Sequence, residues 1–243
     1  GIVYGCTYTS DMSVKHIEVK EEKYLKKIQS SKYVQSDIGN SYTKVKKNLD
    51  NGKMVLFTGT PCQIAGLNTF LGGKQYDNLY TLDLICHGVP SPLLFKKYLE
   101  YQSEKMKEPV VSFDFRSKEK RGWATQYMLK TKTKSKSSPL MTDRYGKHFM
   151  DGDCYRESCY TCPYSSIRRV SDITVGDFWG IDKSHPEFSS TLGVSSVLVN
   201  TEKGQKLFDS IKEYADYTEA TVDEAMVKQA NLKSATLRPA SRD

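Results

Sequence analysis

Six cysteines mark the 243-residue sequence: Cys6, Cys62, Cys86, Cys154, Cys159 and Cys162. The last three form C-x4-C-x2-C-P, ending at Pro163. A two-residue gap lets two thiolates turn back onto one metal centre, and residues further away must complete the coordination. Zinc sites often use two such pairs, and here there is one. Iron–sulfur clusters accept scattered thiolates, and C-x4-C-x2-C with a distant fourth cysteine is a known cluster spacing. In that pattern the fourth cysteine lies downstream, whereas every candidate here lies upstream. The spacing therefore names a metal site and leaves iron–sulfur and zinc both open. Three thiols so close together rarely serve as packing. A disulfide framework is the weaker reading, because the opening Gly1-Ile2-Val3-Tyr4-Gly5 reads as a strand and not as a secretory leader.

The elements around the single cysteines must carry them to that pair. Residues 53–58 read as a short apolar strand. Thr60 fits an N-cap, Pro61 the first helical position and Gln63 the third, which is a capping box. Cys62 is thereby fixed on the first turn of a helix running through 64–71, where the helix N-terminus favours a thiolate. The pattern repeats with a strand over 79–85, the turn Cys86 to Pro92 with Ser91 as N-cap, and a helix over 93–106. A single linking helix makes the two strands parallel. Cys62 and Cys86 then emerge at one carboxyl edge, where open α/β sheets bind ligands. Together with Cys159 and Cys162 they supply four ligands. His87 reads first as a hydrogen-bonded turn residue, with ligation or proton donation as the alternative. His16, His148 and His185 show no ligand spacing, and Cys6 reads as core. The amides of the Gly59-Thr60-Pro61 turn also suit a phosphate, although no Walker or Rossmann motif is present.

Amphipathic helices are expected over 21–30 and 41–50, with a polar loop between them. Residues 110–116 alternate as a strand, followed by a basic turn to Arg121-Gly122-Trp123. Residues 123–136 and 140–149 read as a twisted hairpin or long strand pair. Further strands fall at 172–177 and 194–200, the first followed by the aromatic turn Phe178-Trp179-Gly180. Helices at 203–214 and 222–230 end the sequence. The expected fold is α/β: a mixed sheet with a parallel βαβ core flanked by helices, plus an antiparallel hairpin insertion, in a single domain over 1–243. Hydrophobic residues at 38% and charged residues at 27% exclude a disordered or collagen-like chain. Apolar runs are too short to span a bilayer, so no membrane span and a cytoplasmic location are expected. Lys+Arg 36 against Asp+Glu 29 gives net +7. The alternating lysines of 130–136 read as the wet face of an edge hairpin, with a surface for an acidic partner or anionic cofactor as the alternative. A nucleic-acid role is disfavoured because it leaves the two cysteine-bearing turns unexplained.

Several of these segments, in this order, resemble a known family. Residues 55–67 (VLFTGTPCQIAGL), 83–92 (DLICHGVPSP), 158–163 (SCYTCP) and 172–177 (DITVGD), with 31–36 (SKYVQS), are similar to the coenzyme F420 hydrogenase/dehydrogenase beta-subunit family. The resemblance runs from about residue 1 to 199. It implies an iron–sulfur flavoprotein oxidoreductase that relays electrons between a [4Fe-4S] cluster, FAD and a small-molecule redox substrate or a deazaflavin. It implies that Cys62, Cys86, Cys159 and Cys162 hold the cluster, with Cys154 an alternative or neighbouring ligand. Lys32, Tyr33, Gln35, Ser36, Gly59 and Thr60 would line the flavin. The family's ferredoxin-like N-terminal segment is absent from this sequence, which implies a ferredoxin-like domain or other electron donor as partner. Arg156-Glu157-Ser158 and the His87-Gly88 turn depart from the pattern of deazaflavin-using subunits, which places coenzyme F420 behind FAD. Electron relay asks no side chain to act as acid or base. The rival reading is a zinc-stabilised, non-catalytic binding module.

Overall fold

The computed structural model describes residues 1–120 and 122–242. Strand β1 (Ile2–Tyr8) turns back into β2 (Val14–Val19), antiparallel, with Cys6 opposite His16. Helix α1 (Ser41–Asp50) leads to β3 (Val55–Gly59), and α2 (Pro61–Phe70) crosses from β3 to β4 (Leu79–Leu84). After α3 (Pro92–Met106) the chain builds a separate antiparallel sheet from β5 (Ser112–Asp114), β6 (Gln126–Lys130) and β7 (Ser135–Pro139). Helices α4 (Arg144–Asp151) and α5 (Glu157–Tyr160) bring it back to β8 (Ile173–Asp177), and α6 (Ile181–Ser184) leads to β9 (Ser195–Val199). Helices α7 (Glu202–Ile211) and α8 (Val222–Met226) follow. The main sheet is six-stranded in the order β2-β1-β3-β4-β8-β9. Strands β1, β3, β4 and β8 are parallel, and β2 and β9 are antiparallel edges.

The α/β class, with its mixed sheet, follows from two hydrophobic patterns. Val55 and Phe57 alternate inward from β3 and meet Val45 and Leu49 of α1 and Ile64 and Leu67 of α2 in one core. Phe95, Tyr98 and Leu99 of α3 pack on Phe113, Phe115, Tyr127, Leu129 and Tyr145 in a second, aromatic core. That core fastens the small sheet to α3. Ser91 caps α3 as its sequence predicts, its hydroxyl accepting from the Leu94 amide at 3.2 Å.

Three local expectations are corrected. Residues 140–149 are helical rather than strand: Asp143 accepts from the Gly146 amide at 3.1 Å as an N-cap, and Tyr145 and Phe149, four apart, share the buried face of α4. The lysine run does not lie on one strand. Glu108 accepts from the Thr131 hydroxyl at 2.7 Å and the Thr133 amide at 3.1 Å, folding 131–134 into a turn that splits Lys130 on β6 from Lys136 on β7. The expected helix over 21–30 is a short 3-10 turn, Glu22–Lys27, with no buried residue to anchor a longer helix. Arg121, placed in a basic turn from sequence, lies outside the described residues. Among the described residues no helix is long and apolar enough to cross a membrane.

Candidate functional site

The carboxyl ends of β3, β4 and β8 lie side by side, and the cysteines gather there. Cys62 stands exposed on the first turn of α2, with the Thr60 hydroxyl 3.1 Å from its sulfur. Gln63 supplies the return bond of the predicted capping box, its Oε1 accepting from the Thr60 amide at 3.0 Å. Cys86 follows β4 in a densely packed turn. Burial pushes its thiol up to about 12, the Gly88 amide opposes this, and the charges of Cys62, Cys159 and Cys162 push further upward. Cys159 is raised by burial first, eased by the Val89 amide, and raised again by Cys162 and Cys62. Cys62, Cys86, Cys159 and Cys162 are thus within electrostatic reach of one another, and all are free thiols.

Cys154 stands apart from that group. Burial pushes it up to about 12, and its charged neighbours are Asp153 and Arg242, not the other cysteines. It packs against the cluster of Phe149, Tyr155 and Tyr160. Cys6 is half-buried against the second core, near Lys32.

The C-x2-C segment is held to the sheet by a residue with no periodic signal in the sequence. The Arg169 side chain is 1% exposed and that of Asp83 0%, with Nη2 donating to Asp83 Oδ1 at 3.0 Å. The same guanidinium donates to the carbonyls of Tyr164, Ser166 and Leu84 and to the Thr174 hydroxyl, at 3.1–3.2 Å. One side chain therefore joins the loop after Cys162, the end of β4 just before Cys86, and β8. Tyr155 fixes the other side of the Cys86 turn. A Cβ at Gly88 would stand 2.3 Å from its ring, and Arg156 N donates to Val89 O at 3.0 Å.

The 31–36 loop lies against both cysteine-bearing turns. Gln35 N donates to Pro90 O at 3.1 Å. Ser36 Oγ accepts from Gln63 Nε2 at 2.9 Å and donates to His16 Nδ1 at 3.0 Å, while His16 Nε2 donates to Thr58 O at 3.0 Å. That chain fixes a neutral imidazole carrying its proton on Nε2, and burial lowers the His16 pKa. Ser36, Gln35, Gly59 and Thr60 are thereby brought together. Tyr33 is committed to packing: its ring stacks on Phe149 at 4.1 Å, and its carbonyl accepts from the Tyr145 hydroxyl at 2.7 Å. Lys32 donates to Gln29 O and Ser30 O and lies 5.6 Å from the Tyr8 ring, with burial lowering its pKa.

A polar and aromatic wall missed from sequence stands at the end of β8. Arg116 Nη1 donates to Asp177 Oδ2 at 2.8 Å and to the Tyr33 hydroxyl at 3.3 Å. Trp123 Nε1 donates to Asp177 Oδ1 at 2.9 Å, and its ring stacks on Trp179 at 4.5 Å. His87 is exposed, yet the surrounding protein lowers its pKa, with the Asp177 charge opposing. It therefore sits close enough to Asp177 to feel its charge, one residue after Cys86. The spacing of Asp177 and Trp179 is visible in sequence, but the distant Arg116 and Trp123 carry no signal that pairs them.

Among the described residues no three His, Cys, Asp or Glu side chains are close enough to hold a single metal ion. The four-thiol set suits a polynuclear iron–sulfur core instead. Its donors are all sulfur, Cys86 and Cys159 receive backbone amides, and burial raises the pKa of those two thiols, so a cationic core would be needed to stabilise their thiolates. A cavity of about 610 Å³ borders Cys154, Tyr155 and Arg242. Another of about 320 Å³ sits at the amino edge, lined by Ile2, Met54 and Leu207, away from the cysteines.

Residues 52–225 match the family described as the C terminus of the coenzyme F420 hydrogenase/dehydrogenase beta subunit. A search of curated proteins finds no match. Among solved structures, a chain of the xenon-derivatized F420-reducing [NiFe] hydrogenase complex from Methanosarcina barkeri is similar in fold. It is 15% identical, with a TM-score of 0.58 over 95% of this chain and 76% of that chain.

Proposed function

The chain belongs to the family formed by the C-terminal part of coenzyme F420 hydrogenase/dehydrogenase beta subunits, an oxidoreductase family, and on that premise we propose that it is an iron–sulfur flavoprotein. In this reading Cys62, Cys86, Cys159 and Cys162 hold a [4Fe-4S] cluster, and FAD lies along the 32–36 loop and the Gly59–Thr60 turn. The observation that carries it is the convergence of four free thiols, from three separate segments, at the carboxyl edge of a parallel sheet. Such a cluster passes single electrons and a flavin holds two, which links a one-electron donor to a hydride acceptor.

The chain's own residues position and shield that chemistry. The amides of Gly88 and Val89 donate toward the sulfurs of Cys86 and Cys159, the kind of contact that tunes a cluster's potential. Gln63 and Ser36 bind the loop to the turn. Arg116 and Asp177 form an ion pair at the end of β8, beside the stacked Trp123 and Trp179 rings. The electron donor is a ferredoxin-like domain or another subunit, and the acceptor is a small-molecule redox substrate, with coenzyme F420 as the alternative carrier.

Anaerobic reconstitution with iron and sulfide, followed by metal analysis and a flavin spectrum, tests the reading. Support is a full cluster's iron and bound FAD, lost when Cys62, Cys86, Cys159 or Cys162 becomes Ser and retained in Cys154→Ser. One zinc per chain without flavin refutes it.

A further inference from the structure

The segment after α8 lies beyond the family match, which ends at residue 225, yet it crosses the cysteine site. Gln229 Nε2 donates to Asp177 O at the end of β8. Buried Asn231 donates to the Thr236 hydroxyl at 3.1 Å, and that hydroxyl donates to His87 O at 2.8 Å, next to Cys86. The Thr236 methyl abuts Gly152, which has φ +74 at the end of α4. Six residues on, Arg242 Nη1 donates to Asp153 O at 2.7 Å, Nε donates to Glu157 Oε1 at 2.9 Å, and the guanidinium lies 5.3 Å from the Tyr160 ring. Asp153, Glu157 and Tyr160 belong to the stretch that carries Cys154 and Cys159.

We propose that residues 229–242 form a strap that sets the spacing between the Cys86 turn and the Cys159 helix, with Thr236 and Arg242 as its positioning residues. Among the described residues the backbone joins those two cysteine-bearing segments at a few points, the Val89 amide on the Cys159 sulfur being one. Arg156 N donates to Val89 O, and Pro90 and Tyr155 form an isolated bridge. The strap adds a second tie on each side of the pair. Its bonds are exposed or half-exposed, so they contribute little to global stability. Their effect falls on local opening of the two segments against each other, a motion far smaller than unfolding. The cavity of about 610 Å³ bordered by Cys154, Ser158 and Arg242 lies on the Arg242 side of the strap. The inference rests on reading the cysteine group as a site, but its test needs no iron.

The test is residue-resolved alkylation of the reduced, metal-free full chain with iodoacetamide, followed by mass spectrometry. The Thr236→Val/Arg242→Gln double variant should alkylate Cys86 and Cys159 about tenfold faster than the parent, a shift worth about 1.4 kcal/mol of local opening. Cys6 in β1 and Cys62 on α2, which the strap does not touch, should keep parental rates. Thr236→Ser, which retains the hydroxyl, should match the parent. Rates at Cys86 and Cys159 within twofold of the parent, or an equal rise at Cys6, would overturn the proposal. Failure of the chain to take up iron would instead strike the proposed function and leave this result standing.

Discussion

Replacing Arg169 with Met should cost far more at pH 8 than in mild acid, and the reason is Asp83. The carboxylate is fully buried, with Oδ1 on the guanidinium and no hydrogen-bond partner on Oδ2. Burial raises its pKa; the Thr174 hydroxyl and the Arg169 charge oppose the rise without cancelling it. Removing the cation leaves an uncompensated buried charge, which costs about 3–5 kcal/mol. The carbonyls of Tyr164, Ser166 and Leu84 lose a donor as well. Set against a typical total of about 5–15 kcal/mol, the variant should still fold, but marginally. The sign of the pH effect follows from proton linkage. In the variant the folded carboxyl binds its proton at higher pH than the unfolded one, near 3.9. Between those two values the folded state holds more protons, so acid stabilises it. Each unit by which the variant's folded pKa exceeds the parent's corresponds to about 1.4 kcal/mol, so the penalty should shrink as pH falls from about 8 to 5.5. Urea unfolding of the reduced, metal-free chain at both pH values measures it. Arg169→Met/Asp83→Leu, which removes both charges, should recover most of the loss. A penalty under about 1 kcal/mol, or one equal at both pH values, refutes the reasoning.

Two further outcomes follow from the same site. His16 has a folded pKa lowered by burial, so the unfolded chain takes up the proton first and stability falls as pH drops below about 6.5. His16→Gln should flatten that slope in urea titrations between about pH 5 and 7, and parallel slopes would contradict the Ser36–His16–Thr58 chain. Gly88→Ala places a Cβ 2.3 Å from Tyr155 at φ +145, so the Cys86 turn must shift. We expect a loss of about 2 kcal/mol or more in thermal unfolding and lower iron uptake on reconstitution; parental behaviour in both would show that the turn tolerates the shift.

What the sequence discloses about this site is local, and what it withholds is long-range. Thr60, Pro61 and Gln63 act within one helical turn, as do Ser91 and Pro92, so adjacent residues place both strand-to-helix turns and their cysteines. The parallel register of β3 and β4 then brings Cys62 and Cys86 to one edge by connectivity alone. Arg169 lies 86 positions from Asp83, and Arg116 61 from Asp177. No period or cap links residues so far apart; only packing against a particular sheet order pairs them. Helix α4 escapes the sequence reading because its eight residues offer only one i, i+4 apolar pair, Tyr145 and Phe149, and its Asp143 cap is a single local cue. Cys154 shows the limit most clearly. By spacing it is a candidate beside the Cys159 and Cys162 pair, yet the charges that act on its thiol are those of Asp153 and Arg242. A cysteine's place in a sequence motif thus records only that it is near the pair along the chain. Long-range packing, not spacing, sets which thiols feel one another's charge: Cys86 and Cys159 feel other cysteines, whereas Cys154 feels Asp153 and Arg242.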